Sequence, residues 1–85
     1  MILVDYIGHL VSTESEEELH KFADELGLRR GHYQDSGGLL KHPHYDLTTG
    51  RMIDKARRFG AEYVTPQDLI RRAWWRKDVT KNQKR

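Results

Sequence analysis

The chain has 85 residues, which suits one domain with a thin core. It contains no cysteine, so a disulfide framework and a thiolate metal site are both excluded. The net charge of +2 is unevenly placed: residues 1–50 hold 4 Lys/Arg against 9 Asp/Glu, and residues 51–85 hold 11 against 4.

The first run, Ile2-Leu3-Val4, reads as a buried strand that closes on Asp5. Asp5 then stands at a strand's C-terminal end, where open α/β sheets place their chemistry. Gly8 nearby also fits an Asp-capped turn. No apolar run approaches the ~20 residues of a membrane span. Met1 to Asp5 meets a charge too early for a signal peptide, so a cytoplasmic protein is expected, in the host cytoplasm if phage-encoded.

Residues 13–26 read as a helix. Thr13 with Glu16, or Ser15 with Glu18, offers a capping box, and four glutamates sit in the first turns where the helix dipole favours anions. Leu19, Phe22, Ala23 and Leu26 follow the i, i+3, i+4, i+7 spacing of a buried stripe, and Gly27 supplies a stop. Residues 28–33 fit a short strand. Residues 34–41, with Gly37-Gly38, read as a loop. Pro43 biases His42, and with it His44-Tyr45-Asp46, towards an extended backbone.

Thr48 or Thr49 caps a second helix running to about Phe59, with Met52, Ile53, Ala56 and Phe59 on its apolar face. Residues 61–64 form a second strand. Thr65-Pro66-Gln67-Asp68 then carries a Thr cap, a Pro at the first helical position and an Asp at the third. Leu69, Ile70, Ala73 and Trp74 give this third helix its buried side. The expected fold is therefore α/β: a small single layer of two to three strands, at least two of them parallel, with three helices. It would occupy residues 1–75, with a basic tail over 76–85. An open helical cluster with one two-stranded ribbon is the alternative.

Asp5, His9, His44, Tyr45 and Asp46 are the residues that could carry chemistry. In an α/β layer, strand ends and helix starts gather at one edge, which would bring these groups together. On an extended segment His44 and Asp46 share a face while Tyr45 points away. Histidine and aspartate suit a divalent ion, so Asp5, His44 and Asp46 form a candidate metal set for hydrolysis of a phosphate ester.

A second arrangement needs no metal. The helix start at Thr48-Thr49-Gly50 presents backbone N–H groups, with Arg51 in its first turn and Lys55 one turn later. A phosphate held there would leave His44 and Tyr45 to contact a base or sugar. A third arrangement is binding to nucleic acid or protein through Arg57, Arg58, Arg71, Arg72, Arg76 and Lys77, with Trp74-Trp75 stacking or mediating self-association.

Several blocks in order resemble one family. They are Asp5 closing the first strand, His9-Leu10, Glu18-Leu19-His20-x-Phe22-Ala23, Leu26-Gly27-Leu28-Arg29-Arg30, His44-Tyr45-Asp46-Leu47-Thr48 and Ala56-x-x-x-Gly60-Ala61. Over about residues 1–73 the chain resembles the small phage and bacterial proteins grouped as domain of unknown function 4031. The resemblance implies that His9, His20, His44, Tyr45 and Asp46 occupy the family's motif positions, and it makes a phage origin an expectation. Family members often carry a longer insert between the first strand and His-Leu, where this chain has only Tyr6-Ile7-Gly8.

The expected function is binding of a small phosphate-bearing ligand, a nucleotide or nucleotide-derived signal, by a phage-type accessory protein of the anti-defence kind. The expected contacts are His9, His20, Arg29, His44, Tyr45, Asp46, Thr48 and Arg51. A metal-dependent phosphoesterase or nuclease is the alternative, and an interaction module the second alternative.

Overall fold

The computed structural model describes residues 1–34 and 42–73. Its centre is a five-stranded mixed sheet in the order β3-β4-β2-β1-β5. Strands β1 (Ile2–Asp5) and β2 (His9–Ser12) form an antiparallel hairpin, with Leu3 opposite Val11. Strand β4 (His44–Asp46) pairs antiparallel with β2, His9 facing Asp46, and β3 (Tyr33–Gln34) pairs antiparallel with β4. Strand β5 (Glu62–Val64) runs parallel to β1. The α/β class and the parallel pair are as expected, but the sheet has five strands rather than two to three. Strand β2 and the two-residue β3 are too short to announce themselves as apolar runs.

Three helices cover the sheet. Helix α1 (Glu16–Leu26) uses the second of the two expected capping registers: the Ser15 side chain accepts the Glu18 N–H. Ser12 decides between them. Its buried hydroxyl oxygen accepts the N–H groups of Glu14 and Ser15, and its own proton goes to Glu18, which postpones the helix past Thr13. Gly27 ends α1 in the left-handed region (φ 83°), donating back to Ala23 and Asp24. A 3-10 turn at Arg30–His32 then leads into β3, where a short strand over 28–33 was expected.

Helix α2 (Gly50–Arg58) is capped by Thr49, and α3 (Pro66–Arg72) by Thr65. Helices α1 and α2 bury Leu19, Ala23, Leu26 and Ala56 against Ile2, Val4, Leu10 and Tyr45. Helix α3 covers the opposite face, where Leu69 and Ala73 meet Leu3, Val11 and Val64. Each fully buried Leu or Val contributes roughly 1.5–3 kcal/mol, so the two thin cores share the stabilisation of the sheet. Phe59 (48%) and Ile70 (37%) lie exposed rather than in the apolar faces expected of their helices. Among the described residues no helix is long and apolar enough to cross a membrane.

Several basic side chains of the second half are tied down locally. The Arg72 guanidinium donates to both carboxylate oxygens of Glu62 (2.9 and 3.1 Å), joining α3 to β5 and holding the Glu62 carboxyl below its usual range. Arg71 pairs with Asp68, and Arg57 lies 4.4 Å over the Tyr63 ring. Lys55 donates to the last carbonyl of α1, at Leu26. Residues 35–41 of the loop expected over 34–41, together with Trp74, Trp75 and the basic tail, lie outside the described residues.

The β1–β2 turn is locked to the end of β4. Leu47 donates its N–H to the Gly8 carbonyl (2.7 Å), and Gly8 has φ 112°. A Cβ at Gly8 would sit 2.3 Å from the Leu47 oxygen. Gly8→Ala should therefore cost at least ~2 kcal/mol, lowering Tm by roughly 8–16 °C in a domain of this size. Gly31→Ala, where a Cβ meets nothing within 4 Å, should stay within about 0.5 kcal/mol. Equal small shifts in urea or thermal unfolding would mean that the turn relaxes away from Leu47.

Candidate metal centre

Strands β1, β4 and β5 run in one direction and β2 runs against them. The ends of β1 and β4 therefore meet the start of β2 at one edge of the sheet. Alternation puts Asp5 on the face of Leu3, and His9 on the face of Val11. His44 and Asp46 lie on that same face, because Tyr45 between them packs with Val4 and Leu10 on the other. Helix α3 covers this face only towards Leu3, Val11 and Val64. The cross-strand pair His9–Asp46 completes the gathering.

His9, His44 and Asp46 each bring one ligand atom to within 4.8 Å of the other two. His44 Nε2 lies 3.4 Å from Asp46 Oδ1, and the two imidazoles meet edge to face with centroids 5.5 Å apart. His44 is nearly buried (5% side-chain exposure), whereas the Asp46 side chain is 43% exposed.

The ring orientations follow from hydrogen bonds on the far sides of both histidines. His44 Nδ1 lies 2.6 Å from the His42 carbonyl oxygen, an atom with only lone pairs, so Nδ1 must carry the proton and donate. His9 Nδ1 lies 2.9 Å from Asp5 Oδ2 and donates to that carboxylate in the same way. In a neutral imidazole this leaves the lone pair on Nε2 of each ring, the atom a metal takes. A carboxylate or carbonyl behind a ligating histidine is the usual support of such sites.

Asp5 itself is fully buried. Its Oδ1 accepts the N–H groups of Ile7 (3.0 Å), Gly8 (2.8 Å) and His9 (2.9 Å). Asp5 was expected as a ligand; it lies instead behind His9, both oxygens engaged, and His9 completes the three-ligand set. The reading of Asp5 as a turn cap is realised in its three backbone hydrogen bonds.

The remaining expected contacts divide. His20 and Tyr45 sit on the opposite face, in the α1 core. His20 Nδ1 is 2.7 Å from the Tyr45 hydroxyl, and both rings pack on Tyr33, which pairs with Glu16. Burial pushes the Tyr45 phenol above its ordinary range, so it stays protonated and serves this packing. Arg29 and Thr48 line a cavity of about 200 Å³ together with His32 and Asp46. Arg51 is exposed in the first turn of α2, with neither a hydrogen bond nor an ion pair recorded for its side chain among the described residues. The role of His42's carbonyl and the presence of His32 in the cavity were missed. Pro43 hinted at the first through its extended bias, and nothing in the sequence pointed to the second.

Fold and site together define a small mixed α/β protein with a two-histidine, one-carboxylate cluster at the edge where β1, β2 and β4 meet. The chain belongs to the family described as proteins of unknown function DUF4031, whose model matches residues 4–76. No curated protein and no solved structure matches it.

The support behind His9 has a sharp consequence. In Asp5→Asn the amide oxygen can still accept the three backbone N–H groups, so the turn survives. The amide NH₂ then faces His9 Nδ1 and forces the proton onto Nε2, removing the ligand lone pair. Zn²⁺ affinity should fall roughly ten- to a hundredfold, measured by calorimetry, while the circular dichroism spectrum is unchanged. Unaltered affinity would show that Asp5 does not orient His9.

Proposed function

We propose that this protein is a divalent-metal-dependent phosphoesterase whose ion is held by His9, His44 and Asp46. The observation that carries the reading is that His9, His44 and Asp46 each bring one ligand atom to within 4.8 Å of the other two, while Asp5 and the His42 carbonyl engage the Nδ1 atoms of the two rings. Three protein ligands leave coordination positions open, which is the mark of a catalytic rather than a structural site. The same ligand set also suits non-haem Fe(II). Hydrolysis of a phosphate ester is the chemistry that a divalent ion with open coordination positions would serve.

A divalent ion held by His9, His44 and Asp46 would supply an acidified water as nucleophile for hydrolysis of a phosphate ester to phosphate and an alcohol. Asp5 and the His42 carbonyl hold the ligand rings still, so little reorganisation accompanies the step.

A second reading keeps the ligand and omits the cleavage: retention of a nucleotide or nucleotide-derived signal by a phage-type accessory protein. It is favoured by Arg51, exposed beside the α2 N-terminus two residues beyond Thr49.

Native mass spectrometry and thermal shift with Mn²⁺ and Zn²⁺ test both. One ion per chain is expected, with a stabilisation of roughly 2.7 kcal/mol at a hundredfold excess over Kd. Asp46→Asn, at a half-exposed position, should fold normally, bind the ion at least about tenfold more weakly and lose hydrolysis of p-nitrophenyl phosphate. Absence of any divalent-ion shift would sink the metal reading. Ion binding with a phosphate ester retained intact would favour the second.

A further inference from the structure

Away from the metal cluster, α2 and the sheet edge beside it frame an open cavity of about 490 Å³, lined by Asp54, Arg57, Arg58, Ala61 and Tyr63. Two local periodicities build its walls. Residues i, i+3 and i+4 share one side of a helix, which puts Asp54, Arg57 and Arg58 together on α2. Strand β5 is an edge strand, paired with β1, and Tyr63 stands opposite Val4. Alternation sends Glu62 and Val64 to the α3 face, where Glu62 meets Arg72, and turns Tyr63 towards α2. The Arg57 guanidinium lies 4.4 Å over the Tyr63 ring, and Tyr63 is 46% exposed. Among the described residues, ion pairs take up Arg71 and Arg72 but neither Arg57 nor Arg58.

We infer that this cavity binds a nucleotide unit, free or within a single strand, with its base stacked on the Tyr63–Arg57 platform and its phosphate on Arg58. The lining selects that occupant. A phenol ring with a guanidinium laid on it is a flat platform, and every base offers a π face to stack there. Arginines without a carboxylate partner suit phosphate oxygens, which a guanidinium takes in pairs. Asp54 disfavours a plain polyanion such as an acidic peptide, because like charges repel. Its carboxylate accepts instead from the exocyclic amine of a base. The volume lies within the ~300–1,000 Å³ of sites that take small-molecule ligands. A duplex, its bases stacked and paired, would offer only its phosphates. The inference is independent of the metal centre, which lies on the other face of the sheet.

The test uses the full chain with EDTA present, so that no divalent ion contributes. Fluorescence anisotropy follows a labelled oligo(dA) of about ten nucleotides, within the site sizes of small single-strand binders. The strand should bind, and more weakly as salt rises. Tyr63→Leu should weaken it at least about fivefold, whereas Tyr63→Phe should stay within about twofold, since stacking needs the ring and not the hydroxyl. Arg58→Ala, at an exposed helical position, should weaken it more than Arg71→Ala, because Arg71 is already paired with Asp68. It is the variant to rely on should Tyr63→Leu fail to fold. Competition by AMP at the strand's own affinity supports the inference with a free nucleotide as ligand; competition by unlabelled strand alone supports it with single-stranded nucleic acid. Absence of binding, equal losses at Arg58 and Arg71, a folded Tyr63→Leu variant that binds like the wild type, or duplex bound as tightly as single strand overturns it. Each of those results leaves the metal reading standing, since that reading is decided by the divalent-ion shift.

Discussion

The Asp5 carboxylate holds the functional edge together. A carboxylate taken fully out of water is costly unless its oxygens are satisfied, and at Asp5 they are: three backbone N–H groups on Oδ1 and an imidazole N–H on Oδ2. The three backbone bonds bend the chain from β1 into β2 within Tyr6-Ile7-Gly8. That bend puts His9 opposite Asp46, and the Gly8 carbonyl then receives the N–H of Leu47. One buried side chain thus sets the turn, the orientation of His9 and, through Gly8, the position of the end of β4. A change at Asp5 reaches fold and site together unless, as with an amide, the oxygen's role is preserved.

The two faces of the sheet divide the work. Tyr45 and its neighbours His44 and Asp46 are consecutive, yet the phenol enters the α1–α2 core and pairs with His20, while the other two point to the edge cluster. The family-type motif His-Tyr-Asp is therefore a structural anchor flanked by two candidate ligands. His20, equally part of the resemblance, holds the anchor. Its ring nitrogen meets the Tyr45 hydroxyl at 2.7 Å, tying α1 to β4 on the face away from the cluster.

Much of this was legible in the residues. The β1 run, the three helices with their threonine and serine caps, and the shared face of His44 and Asp46 all follow from local rules of periodicity, capping and strand alternation. Strand β2 was not legible. Its Leu10-Val11 pair is short and sits between a turn signal and a helix cap, so local propensity is outweighed by the pairing it finds on both sides, with β1 and β4. Missing that strand concealed the His9–Asp46 register, and with it the replacement of Asp5 by His9 as third candidate ligand. Which of two nearby groups faces outward depends on where the backbone N–H groups of the turn point, and only the folded hairpin determines that. The choice between Thr13 and Ser15 as cap had the same origin: Ser12 is buried by tertiary packing and takes the N–H groups that would have served the earlier register.

The ligand set is unequal, and the inequality bears on what the centre could do. His44 is almost sealed and its ring is fixed by a backbone carbonyl; His9, one-quarter exposed, is fixed by a buried carboxylate. Asp46 is the most exposed member, its side chain 43% exposed and 3.4 Å from His44 Nε2. Two rigid nitrogen donors and one adjustable oxygen donor suit a centre that must alter its coordination when a substrate arrives, since carboxylates can bind through one oxygen or two. The covered part of the face, under α3, and the histidine supports supply rigidity, and the single exposed carboxylate supplies the freedom. An arrangement built only to hold a structural ion would instead close the fourth position and bury all its ligands.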